Sequence, residues 1–436
     1  MTHAEKVRQS GSGKFMEQYY VGYGHASIGD CGSTTIYFEN VSMLVAKAVQ
    51  DHPLYSGQEA STRYLDFATQ PMIDPYDRPE SAAIQNEWIA LYTAYMPKVK
   101  AALAKAYPFD PANYRSEIAW DKAIAARAFD TLRCLLPVGT ATLASWHTNL
   151  RQARDHLRRL AHHPLPEIRN TAQTAYAKIL KKYPNSFKPE DVDPASERHR
   201  DRNAFLEADA EADHFLLPEA VLAKLEAGDE ARLRAGEVVA DVTCLNAKTA
   251  NQSEGKALAA RPQGTPLPRR LMQYGVYNIY FLLDFGSYRD IQRHRNGYCP
   301  NPLVGGQFGF HRWYLKELER LLNAEDFAAL KAGIDQNLAA IATLPFDHTP
   351  LLDQYLYPMG MACLCQLSYS IPQMVYVAEL RSGQTVHPSL RPVAQALGRV
   401  LKATLPALNV YCDNEPDSFS AKRGEQDIVE RKKELA

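Results

Sequence analysis

Apolar and polar positions follow two different patterns along this chain. The runs STTIYF (33–38) and YNIYFLLDF (277–285) are short and rich in β-branched and aromatic residues, which predicts strands. Longer segments repeat apolar residues at roughly helical spacing, and these predict helices at 81–106, 117–136, 142–162, 168–183 and 390–403. The pattern indicates a mixed α/β fold of the α+β kind, in which small twisted sheets pack against helices.

Two distant segments of the chain align with each other. Residues 35–53 (TIYFENVSMLVAKAVQDHP) lie against residues 278–296 (NIYFLLDFGSYRDIQRHRN) with a single one-residue gap, and the match includes IYF, a glutamine and a histidine. Later anchors keep the same order: a proline precedes an arginine by 22 or 23 residues, and a second arginine follows ten residues on. The shared positions are Gln50 and Gln292, His52 and His294, Arg159 and Arg381, and Arg169 and Arg391. This order predicts a tandem repeat.

The segment between the aligned halves is different in composition. Residues 185–235 are highly charged, begin with prolines and then place Phe215, Leu216, Val221, Leu222 and Leu225 at roughly helical spacing. We therefore expect two domains, 1–184 and 241–436, joined by a charged linker at 185–240 with one or two helices.

Composition adds few constraints on function. The chain has 436 residues, of which 46% are hydrophobic and 23% charged, so more than one hydrophobic core is expected. A net charge of -1 gives no reason to expect a nucleic acid or a membrane as partner. Seven cysteines without a CxxC pair favour reduced thiols over disulfides or a metal site. Because there is no apolar signal segment or run of 18 apolar residues, we expect a cytoplasmic protein.

Two polar clusters are candidates for ligand binding. In QEASTRY (58–64), extended backbone would project Glu59, Ser61 and Arg63 to one side, where they could bind a group with both donors and an anion. The triplet at 293–295 is RHR, a dense donor group suited to a phosphate, a carboxylate or an electron-rich ring. Taken alone, each cluster could equally be a surface feature, namely a capped loop with an ion pair and a solvated basic turn.

The order of several motifs resembles the flavin-dependent thymidylate synthases of the ThyX type. The stretch GYGHASIGD (22–30), the strand TTIYF and the loop QEASTRY match that family's pattern, but Asp51-His52-Pro53 stands where the family has RHR. The second half keeps RHR at 293–295 and has Leu303 at the position of the motif serine. Each half therefore retains what the other has lost.

The resemblance implies roles for individual residues. For a nucleotide substrate they are Glu59, Ser61, Arg63, Arg133 and Arg159. For a flavin they are His25, Ser27, Asp30, Asn149, Arg151, His163, Arg293, His294 and Arg295, with Asp30 replacing a family glutamate. No residue is implied as a covalent nucleophile, and no metal is implied.

The activity implied by the resemblance is methylation at carbon 5 of a uridine nucleotide. FAD would mediate transfer of the one-carbon unit from methylenetetrahydrofolate, and NADPH would reduce the flavin. Deoxyuridylate is the acceptor by family default, while uridylate or another pyrimidine stays open. Two alternatives also remain: a catalytically lapsed protein that binds nucleotide or regulates, and a flavoenzyme of another reaction type.

The resemblance also predicts an assembly. In the family, four subunits build the flavin and nucleotide sites together. A tandem chain would correspond to half of that particle, so we expect a homodimer that forms a pseudo-tetramer. The RHR triplet of one half would then face the ExSxR loop of the other half.

Overall fold

The computed structural model describes residues 26–60, 69–193 and 210–415, together with residues 67 and 205 and positions 2, 5, 9, 11, 13 and 16–18. His25, Ser61 and Arg63 lie outside the described residues. The strands are β1 (Ser33–Val41), β2 (Ser56–Glu59), β3 (Thr142–Asn149), β4 (Val239–Asp241), β5 (Val276–Asp284) and β6 (Ala362–Ser370).

Helices make up most of the rest of the described chain. In the first half they are α1 (Met43–Gln50), α2 (Pro79–Ala106), α3 (Glu117–Leu132), α4 (Leu150–Leu160) and α5 (Pro166–Lys182). The connecting region carries α6 (Ala210–His214), α7 (Pro218–Leu222) and α8 (Asp229–Ala235). The second half has α9 (Ala247–Ala259), α10 (Phe285–Ile291), α11 (Arg312–Leu321), α12 (Ala324–Ala342), α13 (Pro350–Asp353), α14 (Ile371–Ser382) and α15 (Arg391–Thr404).

The strands form two small antiparallel sheets, and the mixed α+β class is confirmed. One sheet has the order β1-β3-β2 and the other β4-β5-β6. In the first, Ser33 lies opposite Asn149 and Glu59 lies opposite Ala144. In the second, Val276 lies opposite Ser370 over nine paired positions.

In each sheet one strand leads directly into a short helix: β1 into α1, and β5 into α10. Ser42 directly follows β1 and caps α1, since its side chain accepts a hydrogen bond from the backbone N–H of Val45 at 3.2 Å. Asp284 ends β5 and caps α10 in the same way, accepting from Ser287 at 2.8 Å. These caps satisfy backbone donors that a helix N-terminus leaves unpaired. They fix the direction of the two helices that carry the candidate site.

The two halves meet at a pair of proline turns. Pro137 and Pro358 form an antiparallel bridge. Val138 donates its N–H to Tyr357 O at 2.9 Å, and Met359 donates to Leu136 O at 2.8 Å. One hydrophobic core takes buried residues from both sheets, and a second core joins α2 and α3 to α11 and α12. The halves therefore share their apolar interior.

Four of the five predicted helices are confirmed, at 79–106, 117–132, 166–182 and 391–404. The helix predicted at 142–162 is wrong in its first part, because 142–149 is strand β3 and only 150–160 is helical. Residues 142–149 bury alternate side chains, and pairing with both β1 and β2 outweighs the helix propensity of their alanine and leucine.

The connecting region contacts both halves of the chain, with His214 and Phe215 beside His163 and Leu216 beside Pro302. Its described part contains three short helices where the sequence pattern predicts one or two. Phe215, Leu216 and Val221 of the predicted apolar stripe are buried, and Leu216 forms a parallel bridge with Pro302. Within the described residues, no helix combines the length and the apolar character needed to cross a membrane.

Candidate functional site

Glu59, the last residue of β2, is a buried carboxylate held by three side chains. Lys47 Nζ lies 2.7 Å from Oε2, and Gln50 Nε2 donates to the same oxygen at 2.9 Å. Arg289 Nη2 lies 2.5 Å from Oε1. Burial alone would raise the pKa of Glu59, but Arg289 and Lys47 outweigh it and hold that pKa far below its usual range. Glu59 is therefore a permanent negative charge between two cations.

The two cations come from equivalent places in the two strand–helix units. Lys47 lies on α1, five residues before His52, and Arg289 lies on α10, five residues before His294. Burial and the neighbouring Arg289 lower the pKa of Lys47 to about 8, although Glu59 opposes them. A single carboxylate thus ties the end of β2 to a helix from each half of the chain.

The RHR triplet lies beside this strand. The guanidinium of Arg295 stands over the ring of Tyr55, 4.9 Å from its centroid, and its Nη2 donates to Tyr55 O at 3.2 Å. Tyr55 immediately precedes β2, and β2 leads into residues 61–63. The structure therefore brings Arg295 of this triplet against the residue before β2, the strand that ends at Glu59, the first residue of the ExSxR motif.

Four arginines surround Asp290, and we call them the arginine cluster: Arg133, Arg289, Arg293 and Arg381. Burial works to raise the pKa of Asp290, but the four guanidiniums together lower it below its usual value. Arg381 Nη2 donates to Asp290 O at 2.6 Å, and Arg293 Nε lies 3.9 Å from Asp290 Oδ1. Because Arg289 is also paired with Glu59 and Arg133 lies near Asp284, the excess positive charge of the cluster is at Arg293 and Arg381, where it suits an anion.

His294 is buried at the centre of the triplet and acts as a hydrogen-bond acceptor. Arg381 Nε donates to His294 Nε2 at 2.8 Å, which requires that nitrogen to be unprotonated. Burial and the nearby Arg381 lower the pKa of His294 to about 3. Tyr369 OH also donates to its carbonyl at 3.0 Å. His294 thus fixes the turn while Arg293, whose side chain is 54% exposed, faces solvent.

Arg133 is the one member of the arginine cluster that comes from the first half. It follows α3, and its Nη2 donates to Ser287 Oγ at 2.7 Å while Nε donates to Tyr314 OH at 3.3 Å. Asp284 Oδ2 lies 3.8 Å from Nη2. Its guanidinium is therefore held by protein groups around the start of α10.

Arg159 takes the corresponding place beside the divergent triplet of the first half. Its Nη1 lies 3.7 Å from Asp51 Oδ2. Burial, then Arg159, lower the pKa of His52 to about 4, much as burial and Arg381 lower that of His294. The first half has Asp51 where the second half has Arg293. It therefore has an ion pair between Arg159 and Asp51 instead of a second arginine cluster.

Of the other residues implied for flavin binding, Asn149 and Arg151 both contact Asp30. Asp30 Oδ1 accepts from Asn149 Nδ2 at 3.0 Å and lies 2.9 Å from Arg151 Nε, and Ser27 is exposed on the same 3₁₀ helix as Asp30. His163 is buried, with its ring centroid 4.3 Å from that of His214 in the connecting region. Burial and His214 lower the pKa of His163 well below its usual value.

A pocket of about 490 Å³ opens beside the RHR triplet. Asn296, Gln373 and Tyr376 line one part of it, and Arg261, Arg269 and Tyr411 line another. Tyr376 is 53% exposed, and Met272 and Leu380 are 39% and 46% exposed on the same rim. Arg261 is paired with Glu379 of the same lining at 2.7 Å, so Arg269 is the cation that lies beside this apolar and aromatic surface without a described carboxylate at that distance. The combination fits a planar ring with an anionic group. Among the described residues, no group of His, Cys, Asp or Glu is arranged to hold a metal ion.

Four residues of this site were not among the implied ligands: Lys47, Arg289, Asp290 and Arg381. The repeat alignment contained a signal for three of them, because Lys47 aligns with Arg289 and Arg159 with Arg381. No sequence pattern indicated that Glu59 would contact both Lys47 and Arg289.

A family model matches the first half of the chain. Residues 2–185 match the family model described as thymidylate synthase complementing protein (Thy1). The resemblance to the ThyX family is confirmed for the first half of the chain, over residues 2–185.

More distant relatives match most of the length of the chain. A UPF0159 protein of Chlamydia muridarum is 24% identical over 430 residues, covering 89% of this chain and 78% of that protein. UPF0159 proteins of Chlamydia pneumoniae and Thermoplasma acidophilum are 24% and 20% identical, covering 91% and 92% of this chain and 80% and 88% of those proteins. No solved structure matches this chain.

Proposed function

We propose that this protein is a flavin-dependent thymidylate synthase-like enzyme that methylates carbon 5 of a uridine nucleotide, deoxyuridylate by family default. It would use FAD, with methylenetetrahydrofolate as one-carbon donor and NADPH as reductant. The observation that carries the proposal is the arginine cluster beside β2, the strand that leads into Ser61 and Arg63. The Thy1 match over residues 2–185 supports the reaction class.

The arginine cluster supplies positive charge for the anionic groups of FAD and of the nucleotide, with Arg293 on the flavin side and Arg133 on the nucleotide side. Arg293 is half-exposed, and its ion pair within the described part of the chain is a long one, 3.9 Å to Asp290, so a ligand can bind it at little structural cost. Guanidinium groups bind phosphate through paired, charge-assisted hydrogen bonds. Ser61 and Arg63 would add contacts from the loop that follows Glu59.

The residues beside the triplet fit FAD. Arg293 and Arg295 would lie against the flavin, and the pocket lined by Asn296 and Tyr376 would hold one of its rings. When bound, the flavin supplies the reducing equivalents for the one-carbon unit. His294 would position the two arginines and not exchange a proton, because its pKa of about 3 keeps it neutral.

No protein thiol is needed as a nucleophile. Cys299, Cys363 and Cys365 are buried, and burial raises the pKa of each thiol. A thiol that stays protonated at neutral pH is a poor nucleophile. The chain's contribution would be charge and orientation.

A catalytically lapsed nucleotide-binding or regulatory protein is the second candidate. It is favoured by Arg133 and Glu59, whose charged groups are both engaged by other side chains of the protein. In a lapsed enzyme, such internal contacts would replace those formerly made to ligands.

We also propose an arrangement in two Thy1-like repeats, with a cytoplasmic homodimer as the working particle. The two matching strand–helix units and the bridge between Pro137 and Pro358 support a pseudo-two-fold relation within the chain. A second copy would then complete the four repeats, since closed symmetry is the common outcome for homo-oligomers.

The test is to purify the protein, reconstitute it with FAD and follow two readouts. We expect a yellow protein whose visible flavin band bleaches with NADPH in the absence of oxygen. We also expect it to convert deoxyuridylate to thymidylate when methylenetetrahydrofolate is added. Arg293→Ala should lose flavin, whereas Arg270→Ala, in an exposed ion pair with Glu254, should keep it. A colourless protein that binds deoxyuridylate would support the lapsed candidate instead.

A further inference from the structure

A second basic pocket lies on the second half of the chain. It has a volume of about 330 Å³ and opens between α8, the start of α11 and the start of α15. None of the described residues lining it carries a carboxylate, whereas Arg234, Arg312 and Lys316 carry positive charge. We call it the α11 pocket.

Two of its cations are available to a ligand. Arg312 and Lys316 are one helical turn apart on α11, so they lie on the same face, and both are exposed. Arg312 Nη1 contacts the carbonyl of Ala235, which places the guanidinium across the gap to α8. Gly236 allows this approach, since a Cβ there would lie 2.2 Å from Arg312 Cζ. Arg234, by contrast, is paired with Glu230 at 2.7 Å.

Aromatic rings form the walls of the same pocket. Phe308, Phe310 and Trp313 line it, and the Arg234 guanidinium stands 4.9 Å from the centroid of the Phe308 ring. His311 adds a ring donor: its Nδ1 accepts from the backbone N–H of Trp313 at 3.3 Å, which places the proton on Nε2. Burial lowers the pKa of His311, so the ring stays neutral.

Ser389 gives the lining of the pocket a polar group that is held by hydrogen bonds. Ser389 lines it, and its hydroxyl lies 2.5 Å from Asp284 Oδ1 and 2.8 Å from His387 Nδ1. Ser287 Oγ is 2.7 Å from the same hydroxyl and also accepts from Arg133. Ser389 is thus linked through Ser287 to Arg133 of the arginine cluster.

The corresponding place in the first half has a different chemistry. There the groove is lined by residues such as Glu39, Glu167, Asn170 and Thr171, and Glu167 accepts from Ser42 Oγ at 2.6 Å. That groove also has Tyr37, Lys178 and Lys182 in its lining, so the α11 pocket differs from it in having no carboxylate among its described lining residues.

We propose that the α11 pocket binds a small aromatic or heteroaromatic molecule that carries a phosphate or carboxylate group. Arg312 and Lys316 bind the anion, and Trp313 with Phe308 and Phe310 contacts the ring. This is a site separate from the one proposed for flavin and nucleotide, and it does not depend on that function.

Calorimetric titration of the purified full chain tests the proposal with phenyl phosphate, benzoate, inorganic phosphate and benzyl alcohol as probes. Phenyl phosphate or benzoate should bind at least about tenfold more tightly than either inorganic phosphate or benzyl alcohol, since only the first two present both groups. Comparison of phenyl phosphate with benzoate distinguishes the two anions. Equal binding of phenyl phosphate and inorganic phosphate, or no binding of either aromatic anion, overturns the proposal.

Variants locate the binding. Lys316→Gln should weaken the preferred probe by about tenfold, and Arg312→Gln should do the same. Both side chains are exposed, so melting temperatures should not change. Lys331→Gln, in an exposed ion pair on α12, is the matched control. If Arg293→Ala removes binding while Lys316→Gln spares it, the probe occupies the arginine cluster and the α11 pocket is not a site.

Discussion

Arg289 Nη2 lies 2.5 Å from Glu59 Oε1, although 230 residues separate the two in the chain. Lys47, on the equivalent helix of the first half, lies 2.7 Å from the other oxygen of the same carboxylate. Residues from the two halves therefore contact one carboxylate at the end of β2. This relationship is structural as well as electrostatic, because it ties the end of β2 to α1 and α10.

Glu59→Gln should strongly destabilise the protein. The change removes the carboxylate that lies nearest to the buried cations Lys47 and Arg289, and breaking a buried ion pair in this way costs about 3–5 kcal/mol of unfolding free energy. Urea unfolding at neutral pH measures the loss. Asp335→Asn, in the exposed pair with Lys331, should change it by less than about 0.5 kcal/mol.

A second variant separates charge from packing. Adding Lys47→Met to Glu59→Gln should recover part of the lost stability, since one uncompensated charge is removed. If Glu59→Gln unfolds at the wild-type urea concentration, the carboxylate is not the buried link between the halves.

His294 should make stability fall on acidification. Burial and Arg381 hold its folded pKa at about 3, against 6.5 for an unperturbed histidine. Between these values the unfolded chain binds a proton that the folded chain does not, so the unfolding free energy decreases as the pH is lowered through this window. The slope from this one residue is about 1.4 kcal/mol per pH unit.

Urea unfolding at several pH values between about 4 and 6.5 tests this contribution. His294→Gln, whose side-chain oxygen can still accept from Arg381, should flatten the dependence by about one proton. His147→Gln, on an exposed strand position, should leave the slope as it is. A slope that His294→Gln does not change would show that the folded histidine titrates normally.

Gly139→Ala should weaken the contact between the halves. A Cβ at this position would lie 2.6 Å from Ile73 O and 2.7 Å from Tyr355 O, and these backbone atoms cannot move independently. We expect a loss of about 1–3 kcal/mol in unfolding free energy, typical of overpacking. Gly305→Ala, which meets no atom within 4 Å, should lie within about 0.5 kcal/mol of wild type. Equal stability of the two variants would mean that the proline turns are not closely packed.

Arg63→Ala and Arg293→Ala should separate the two ligands of the proposed site. Loss of a charge-assisted pair costs about 1.5–3 kcal/mol, so Arg63→Ala should weaken deoxyuridylate binding by roughly ten- to a hundredfold and leave FAD largely bound. Arg293→Ala should loosen FAD first. Calorimetric titration of each ligand into each variant gives the comparison, with Arg270→Ala as the exposed control. The reverse pattern, in which Arg63→Ala releases FAD and spares nucleotide, would contradict a composite site.

Local patterns predicted much of the fold. Helical spacing located four long helices, β-branched and aromatic runs located β1 and β5, and the motif order led to the Thy1 resemblance. These signals depend on residues close together in the chain, where periodicity and capping act. Strand β3 was missed for the same reason, because its alanine and leucine favour a helix until β1 and β2 pair with it on both sides.

The sequence by itself determined which charged residues are present and which of them are equivalent in the two aligned segments. Only the tertiary structure decided that Lys47 and Arg289 share Glu59 and that Arg133 joins the arginine cluster from the other half. It also decided that His294 is buried and accepts a hydrogen bond from Arg381, which together keep its ring neutral. The physical reason is that each of these contacts links side chains far apart in sequence, and their geometry follows from how two shared cores and a pair of proline turns orient the halves.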